Sequence, residues 1–287
     1  MITIQLLQQC ARNWQKLDKG FSPLRTQKTQ RKTNYYFLFF ILNSRLLRSS
    51  RTMFSFYFIL FGLFMLKRPE MVLIDVDGTL VDSVPDLAFC VDEMLKQLDM
   101  PTRGEAAVRH WVGNGVERLV KRGLINELNG EPDEALYNKA LPIFRELYAE
   151  NTSVRSCLYE GVPEAMEFLK STGVKIGCVT NKASEFTLPI LQDLGISDYF
   201  ETVLCGDMVE RKKPDPQPLI MSAEKLGVSP QVSMMLGDSM SDVKAARAAG
   251  FSIICMSYGY NHGEDIRDYN PDAVVDSMAE IKDIVDW

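Results

Sequence analysis

The sequence offers little that would mark a metal–thiolate, disulfide-stapled, membrane-spanning or nucleic-acid-binding protein. Its six cysteines (Cys10, Cys90, Cys157, Cys178, Cys205 and Cys255) show no paired spacing. A CxxC-type metal site and a small disulfide framework are therefore excluded. Cys178 and Cys255 lie in apolar, strand-like runs, where a free thiol behaves as a small hydrophobe. Reduced cysteines and a cytoplasmic location are expected. Histidine is scarce, and neither His110 nor His262 is expected to be catalytic.

Long apolar runs are also missing. The longest, Met53–Leu66, has fourteen residues, about 21 Å of helix against a hydrocarbon core of about 30 Å. It follows a shorter run, Tyr35–Leu42, and a stretch bearing Arg45, Arg48 and Arg51. Lys67 and Arg68 stand where a cleavable signal would end in small residues. Three readings of this front segment stay open: an upstream mis-start, with the working protein beginning at Met53, Met65 or Met71; a membrane-surface anchor; or a targeting segment. Any membrane contact is confined to residues 1–66.

Positive charge is sparse outside that segment. Residues 1–64 hold ten Lys/Arg and one acid, Asp18; the whole-chain totals of 32 basic and 38 acidic residues then leave 22 and 37 for residues 65–287. An acidic surface of this kind argues against nucleic acid as a partner, because neutralising phosphates needs a basic face. Two stretches so different in charge are not expected to share one core.

From Met71 onward the chain alternates short apolar runs with helical patterns, which implies a parallel sheet covered by helices. The runs are Met71–Asp75, Val174–Thr180, Thr202–Cys205, Ser233–Gly237, Ser252–Met256 and Ala273–Val275. About ninety residues separate the first two, far more than one crossover needs, and roughly 85–150 reads as polar and helical. The expected fold class is α/β: a three-layer, Rossmann-like parallel-sheet core with an inserted all-helical cap. The expected division is a front extension over 1–70, a core over 71–84 and 154–287, and a cap over 85–153, with linkers near Ser83–Pro85 and Ser153–Tyr159.

The chemistry concentrates at strand ends. The first strand delivers Asp75 and Asp77 at its carboxyl end, followed by a turn at Gly78; open α/β sheets bind their ligands there. Thr180, with Asn181 and Lys182 after it, closes the second run. Lys213 follows the third, and Asp238 and Asp242 follow the fourth. Singly these are ordinary turn and cap residues. Jointly, and in a parallel sheet, they bring two acids, a hydroxyl, a cation and a further acid pair to one edge.

These four segments resemble the haloacid dehalogenase-like hydrolases over about residues 71–287. The subgroup features Val112-Gly113-Asn114-Gly115, Leu158-Tyr159-Glu160-Gly161-Val162 and Tyr258-Gly259-Tyr260-Asn261-His262-Gly263 resemble the bacterial phosphoglycolate phosphatases. Glu160 departs from them, standing where similar proteins carry proline. The resemblance implies a phosphatase that hydrolyses a small phosphate monoester, 2-phosphoglycolate first among them, through an aspartyl-phosphate. It makes Asp75 the nucleophile and Asp77 the general acid/base, with Thr180 and Lys213 on the phosphoryl oxygens. Mg²⁺ would be held by Asp75, Asp238 and the Asp77 backbone carbonyl, with Asp242 in support. Asn181, Gly113 and Arg118 are the expected substrate contacts, Arg118 as the cation for a second anionic group. A homodimer is compatible with this reading. A sugar-phosphate phosphatase, phosphomutase or pyrophosphatase is the alternative enzyme, and a regulatory binding protein on the same fold the alternative class.

Overall fold

The computed structural model describes residues 65–287; the expectations for Tyr35–Leu42 and for most of Met53–Leu66 fall outside them. Six parallel strands form the central sheet: β1 Met71–Ile74, β2 Lys175–Val179, β3 Thr202–Leu204, β4 Ser233–Gly237, β5 Ser252–Met256 and β6 Ala273–Val275, in the order β3-β2-β1-β4-β5-β6. Each coincides with one of the apolar runs, and all residues of β1 and β4 are buried. This is the order of a doubly wound sheet, whose direction of winding switches beside β1.

Side-chain alternation builds the layers. Val72 and Ile74 of β1 join Ile176, Cys178 and Leu236 on one face, under α5 (Val162–Thr172) and α6 (Ser184–Asp193). Met71 and Leu73 join Val179, Met235 and Ile253 on the other, under α7 (Gln217–Leu226) and α8 (Met240–Ala249). Gly177 makes room at the centre, since a Cβ there would lie 2.7 Å from Leu73 Cδ2.

Between β1 and β2 the chain makes four helices and no strand of the main sheet: α1 Val84–Gln97, α2 Glu105–Trp111, α3 Val116–Ile125 and α4 Glu134–Glu150. They enclose a further hydrophobic core, with Leu87, Val91, Met94, Val108, Leu119, Val120, Phe144 and Tyr148, to which Phe186 of α6 and Tyr260 also contribute. Among the described residues no helix is long and apolar enough to cross a membrane. The five described cysteines are all unpaired thiols.

Two short pairings were not read from the sequence. Val81–Asp82 pairs antiparallel with Cys157–Leu158, where the chain leaves for the helical layer and returns from it. Leu66–Lys67 pairs in parallel with Val285–Asp286, and Glu70 bonds to Val232 and Lys175. The boundary expected at residue 70 is therefore corrected. Residues 66–70 belong to the core, recruited by a contact with the opposite end of the chain.

Asp86 ties the two linkers together. It is fully buried and accepts hydrogen bonds from the backbone N–H of Arg155 (2.9 Å) and Ser156 (2.8 Å), the Ser156 hydroxyl (2.6 Å) and the Arg155 guanidinium (3.1 Å). Asp86→Ala would leave the buried Ser156 N–H and hydroxyl and the part-buried Arg155 N–H without an acceptor, at about 1–3 kcal/mol for each buried group. It is expected to lower stability by about 2–4 kcal/mol, read by calorimetry; an unchanged melting temperature would contradict this account of the linker.

Candidate active site

Register places the reactive groups together. Ile74 pairs with Cys178 on one side and Leu236 on the other. The residues that follow, Asp75, Thr180 and Asp238, consequently emerge along one edge of the sheet. The ladder runs on through Asp75 N–H to Leu236 O (3.0 Å) and Thr180 N–H to Leu204 O (3.1 Å), which fixes their backbones. Asp75, Asp77, Thr180, Asn181, Lys213, Asp238 and the cap residue Gly113 all line one cavity of about 40 Å³.

Lys213 is the electrostatic centre. Its buried ammonium lies 3.0 Å from Asp75 Oδ1 and 2.7 Å from Asp242 Oδ1, and it donates to Val179 O at 2.8 Å. Burial alone would push this lysine down, but Asp242 and Asp75 outweigh it, and the group is held above its ordinary value. Asp242 is committed on both oxygens: Oδ2 accepts from the Ser239 N–H (3.1 Å) and hydroxyl (2.7 Å), closing a capping box at the start of α8. It orients Lys213 and the turn that carries Asp238.

Asp238 accepts from the Thr79 hydroxyl (2.8 Å) and the Tyr260 N–H (2.6 Å). Two glycines wrap it; a Cβ on Gly78, whose φ is +84°, would lie 2.3 Å from Asp238 Oδ2, and one on Gly259 would lie 2.1 Å from its Cβ. Asp75 accepts the Val76 N–H on Oδ1 at 2.8 Å. Burial, reinforced by Asp242 and opposed by Lys213, pushes the Asp75 carboxyl up to about 6. Burial and the neighbouring Asp242 and Asp75 charges raise Asp238 well above the carboxylate range.

Carboxyl oxygens of Asp75, Asp238 and Asp242 lie within 4.8 Å of one another. Crowded, buried carboxylates whose charged forms are this unfavourable suit a hard divalent cation with oxygen ligands. Asp75 Oδ2 accepts no hydrogen bond among the described residues, each Asp238 oxygen accepts one, and Asp242 Oδ2 is taken up by three donors, which leaves Asp242 the least able of the three to ligate.

One expected contact is not brought to the cavity. Arg118 of α3 turns to the following loop, donating to Gly130 O (3.0 Å) and pairing with Glu131 (2.9 Å). Helix α3 sends toward the cavity Val116 and Leu119 instead. Arg122 supports the glycine loop from behind: it is buried, bonds Asn114 Oδ1 (2.9 Å) and the Trp111 carbonyl, and burial, with help from Arg118, brings it down to about 10. Neither histidine lines the cavity; His262 Nδ1 instead contacts the His110 carbonyl at 2.8 Å. Besides Lys213, the cation lining the cavity among the described residues is Lys182, which sequence reasoning left without a role. Its signal was its position, two residues beyond Thr180 on the same strand end.

A doubly wound sheet with acids, a lysine and a hydroxyl at its carboxyl edge, closed by a helical cap, defines a hydrolytic enzyme of the capped Rossmann-like class. The family model for haloacid dehalogenase-like hydrolases matches residues 72–256, and the chain belongs to that family. It is 62% identical over 221 residues to the phosphoglycolate phosphatase of Nitrosococcus oceani, covering 77% of this chain and 98% of that protein. The phosphoglycolate phosphatase of Thiobacillus denitrificans is 43% identical over 211 residues, covering 74% and 93%. Among solved structures, a predicted phosphoglycolate phosphatase from Haemophilus somnus superposes with a TM-score of 0.71 at 34% identity, covering 75% of this chain and 97% of that one.

Proposed function

We propose that the chain is a Mg²⁺-dependent phosphatase that hydrolyses 2-phosphoglycolate to glycolate and phosphate through an aspartyl-phosphate on Asp75. The observation that carries the reading is the convergence of Asp75, Asp77, Thr180, Lys213 and Asp238 on one small capped cavity. The near full-length similarity to the Nitrosococcus oceani phosphoglycolate phosphatase supports the choice of substrate.

An Asp75 oxygen attacks phosphorus, and the bond from phosphorus to the glycolate oxygen breaks. Asp77 delivers its proton to the departing alkoxide. It then takes a proton from the water that attacks the aspartyl-phosphate, so that phosphate leaves and Asp75 is restored. Thr180 and Lys213 hold the phosphoryl oxygens as charge spreads over them. Asp75, Asp238 and the Asp77 backbone carbonyl would hold Mg²⁺, whose charge would offset the repulsion between an attacking carboxylate and a phosphate dianion. The amides around Gly113 are the cap groups available to the substrate carboxylate, with Asn181 facing them from the core. Unpaired thiols at the five described cysteines support work in a reducing cytoplasm.

The purified full-length chain should be assayed against small phosphate esters with Mg²⁺ and with EDTA. We expect 2-phosphoglycolate to exceed sugar phosphates and pyrophosphate in kcat/KM by at least ~10-fold, a difference of about 1.4 kcal/mol in transition-state binding. EDTA should abolish turnover and Mg²⁺ restore it. Preference for a sugar phosphate or pyrophosphate would refute the substrate, and indifference to EDTA the metal.

A further inference from the structure

We propose that Lys182 is a positioning residue that aims the Asp77 carboxylate at the cavity and ties that aim to the seating of the helical cap through Tyr148. The proposal rests on the role given to Asp77 above.

The Lys182 side chain is 2% exposed, and its ammonium meets three polar atoms: Asp77 Oδ1 at 3.1 Å, Asp77 Oδ2 at 3.2 Å and the Tyr148 hydroxyl at 2.6 Å. It also stands 4.6 Å from the centre of the Tyr148 ring. A buried ammonium persists only with such partners, and each of them is thereby held in place. Among the described residues, Lys182 is the side chain that hydrogen-bonds the Asp77 carboxylate. A carboxylate on a turn otherwise samples its staggered rotamers freely.

The stem of Lys182 is fixed as well. Its N–H donates to Thr180 Oγ1 (3.3 Å), and its carbonyl accepts the Gly206 N–H (2.9 Å). The turn that presents Thr180 to the phosphoryl group therefore also sets the origin of the lysine. Lys182 does not duplicate Lys213, whose ammonium is taken up by Asp75, Asp242 and a backbone carbonyl.

Tyr148 gives the arrangement its second end. It lies in the last turns of α4 and is fully buried, 5.6 Å from Phe144 of the same helix and 4.8 Å from Phe186 of the core helix α6 between ring centres. Its hydroxyl reaches Lys182 only when α4 rests on α6. The order of dependence runs from cap to Tyr148 to Lys182 to Asp77, so that the acid is aimed when the cavity is covered. Such coupling would keep the acid unaimed while the cavity stands open to water.

The test uses leaving groups. A good leaving group such as p-nitrophenolate departs with little protonation, whereas an alkoxide requires the acid. Release of the leaving alcohol in the first turnover would be measured, with enzyme in excess, for 2-phosphoglycolate or another alkyl phosphate the enzyme turns over, and for p-nitrophenyl phosphate. Lys182→Met is expected to slow the alkyl ester by at least ~10² and the aryl ester by less than about 10-fold, the asymmetry of a lost general acid. KM should stay within about threefold, as for a group that acts in the transition state. Tyr148→Phe, which keeps the ring, should shift both rates in the same sense by about 3–10-fold on the alkyl ester, the scale of one hydrogen bond. It decides the matter alone if Lys182→Met does not fold.

Equal slowing of both esters, or a raised KM with kcat unchanged, would overturn the proposal. Asp77→Asn is the reference. If it shows the asymmetry and the Lys182 variant does not, the role of Lys182 falls by itself. If Asp77→Asn slows both esters alike, the proposal falls together with the acid role of Asp77.

Discussion

Replacing Asp75 by asparagine is expected to reduce turnover by at least ~10²-fold, as loss of an essential catalytic carboxylate does, while making the metal-free protein more stable near neutral pH. The first effect follows from removing the carboxylate proposed above as the nucleophile. The second follows from where that carboxylate is kept. Its folded-state value of about 6 lies above its ordinary 3.8 because burial and Asp242 outweigh Lys213. A carboxyl raised in this way stabilises the fold fully below about pH 4, and that contribution is lost as the pH rises through 6. The difference between 3.8 and about 6 corresponds to about 3 kcal/mol at pH 7.5. Asparagine carries no such charge. In EDTA the variant should therefore melt several degrees above the wild type at pH 7.5, with the gap closing toward pH 4.5. Near-normal phosphate release by purified Asp75→Asn would exclude the nucleophile. A variant less stable than wild type at pH 7.5 would contradict the electrostatic account.

Lys213→Met should give a large loss of stability, together with loss of activity. The lysine side chain is 1% exposed, and Asp242, its partner at 2.7 Å, is fully buried. Removing one member of such a pair leaves an uncompensated charge in the interior, which typically costs about 3–5 kcal/mol. For a folded unit of this size that is a fall on the order of 10 °C in melting temperature. Adding Asp242→Asn to the variant should recover part of the loss without recovering activity, because it removes the stranded charge but does not restore the cation proposed to hold the phosphoryl oxygens. Calorimetry on the two variants checks this; a single variant as stable as the wild type would show that the ion pair contributes little.

The contrast between what was legible and what was not is physical. Met71–Asp75 is read easily, because a short apolar run ending in two acids is locally encoded, and parallel register brings such ends to one edge. Arg118 shows the opposite case. Its place in a helix was readable, but not which way that helix faces, and a loop thirteen residues further on supplies Glu131 and a carbonyl that claim the guanidinium. Lys182, Asp77 and Tyr148 lie on three segments, with 34 and 105 residues separating the lysine from its partners. Pairing of β1 with β2 sets Asp77 beside Lys182, and docking of the cap on the core adds Tyr148. Leu66 reads as the end of an apolar run that begins upstream, whereas Leu66–Lys67 pairs with Val285–Asp286 more than two hundred residues away.

The antiparallel pair of Val81–Asp82 with Cys157–Leu158 has a consequence for how such an enzyme changes. Facing residues in an antiparallel ladder stand about 5 Å apart, a gap that a hairpin turn of a few residues closes. All the intervening chain is thus a cassette looped out from neighbouring stitches, with Asp86 as the knot. Lengthening it, reshaping it or exchanging it need not disturb the spacing of the sheet beneath. Selectivity can drift in one compartment of the sequence while the reactive edge is inherited intact.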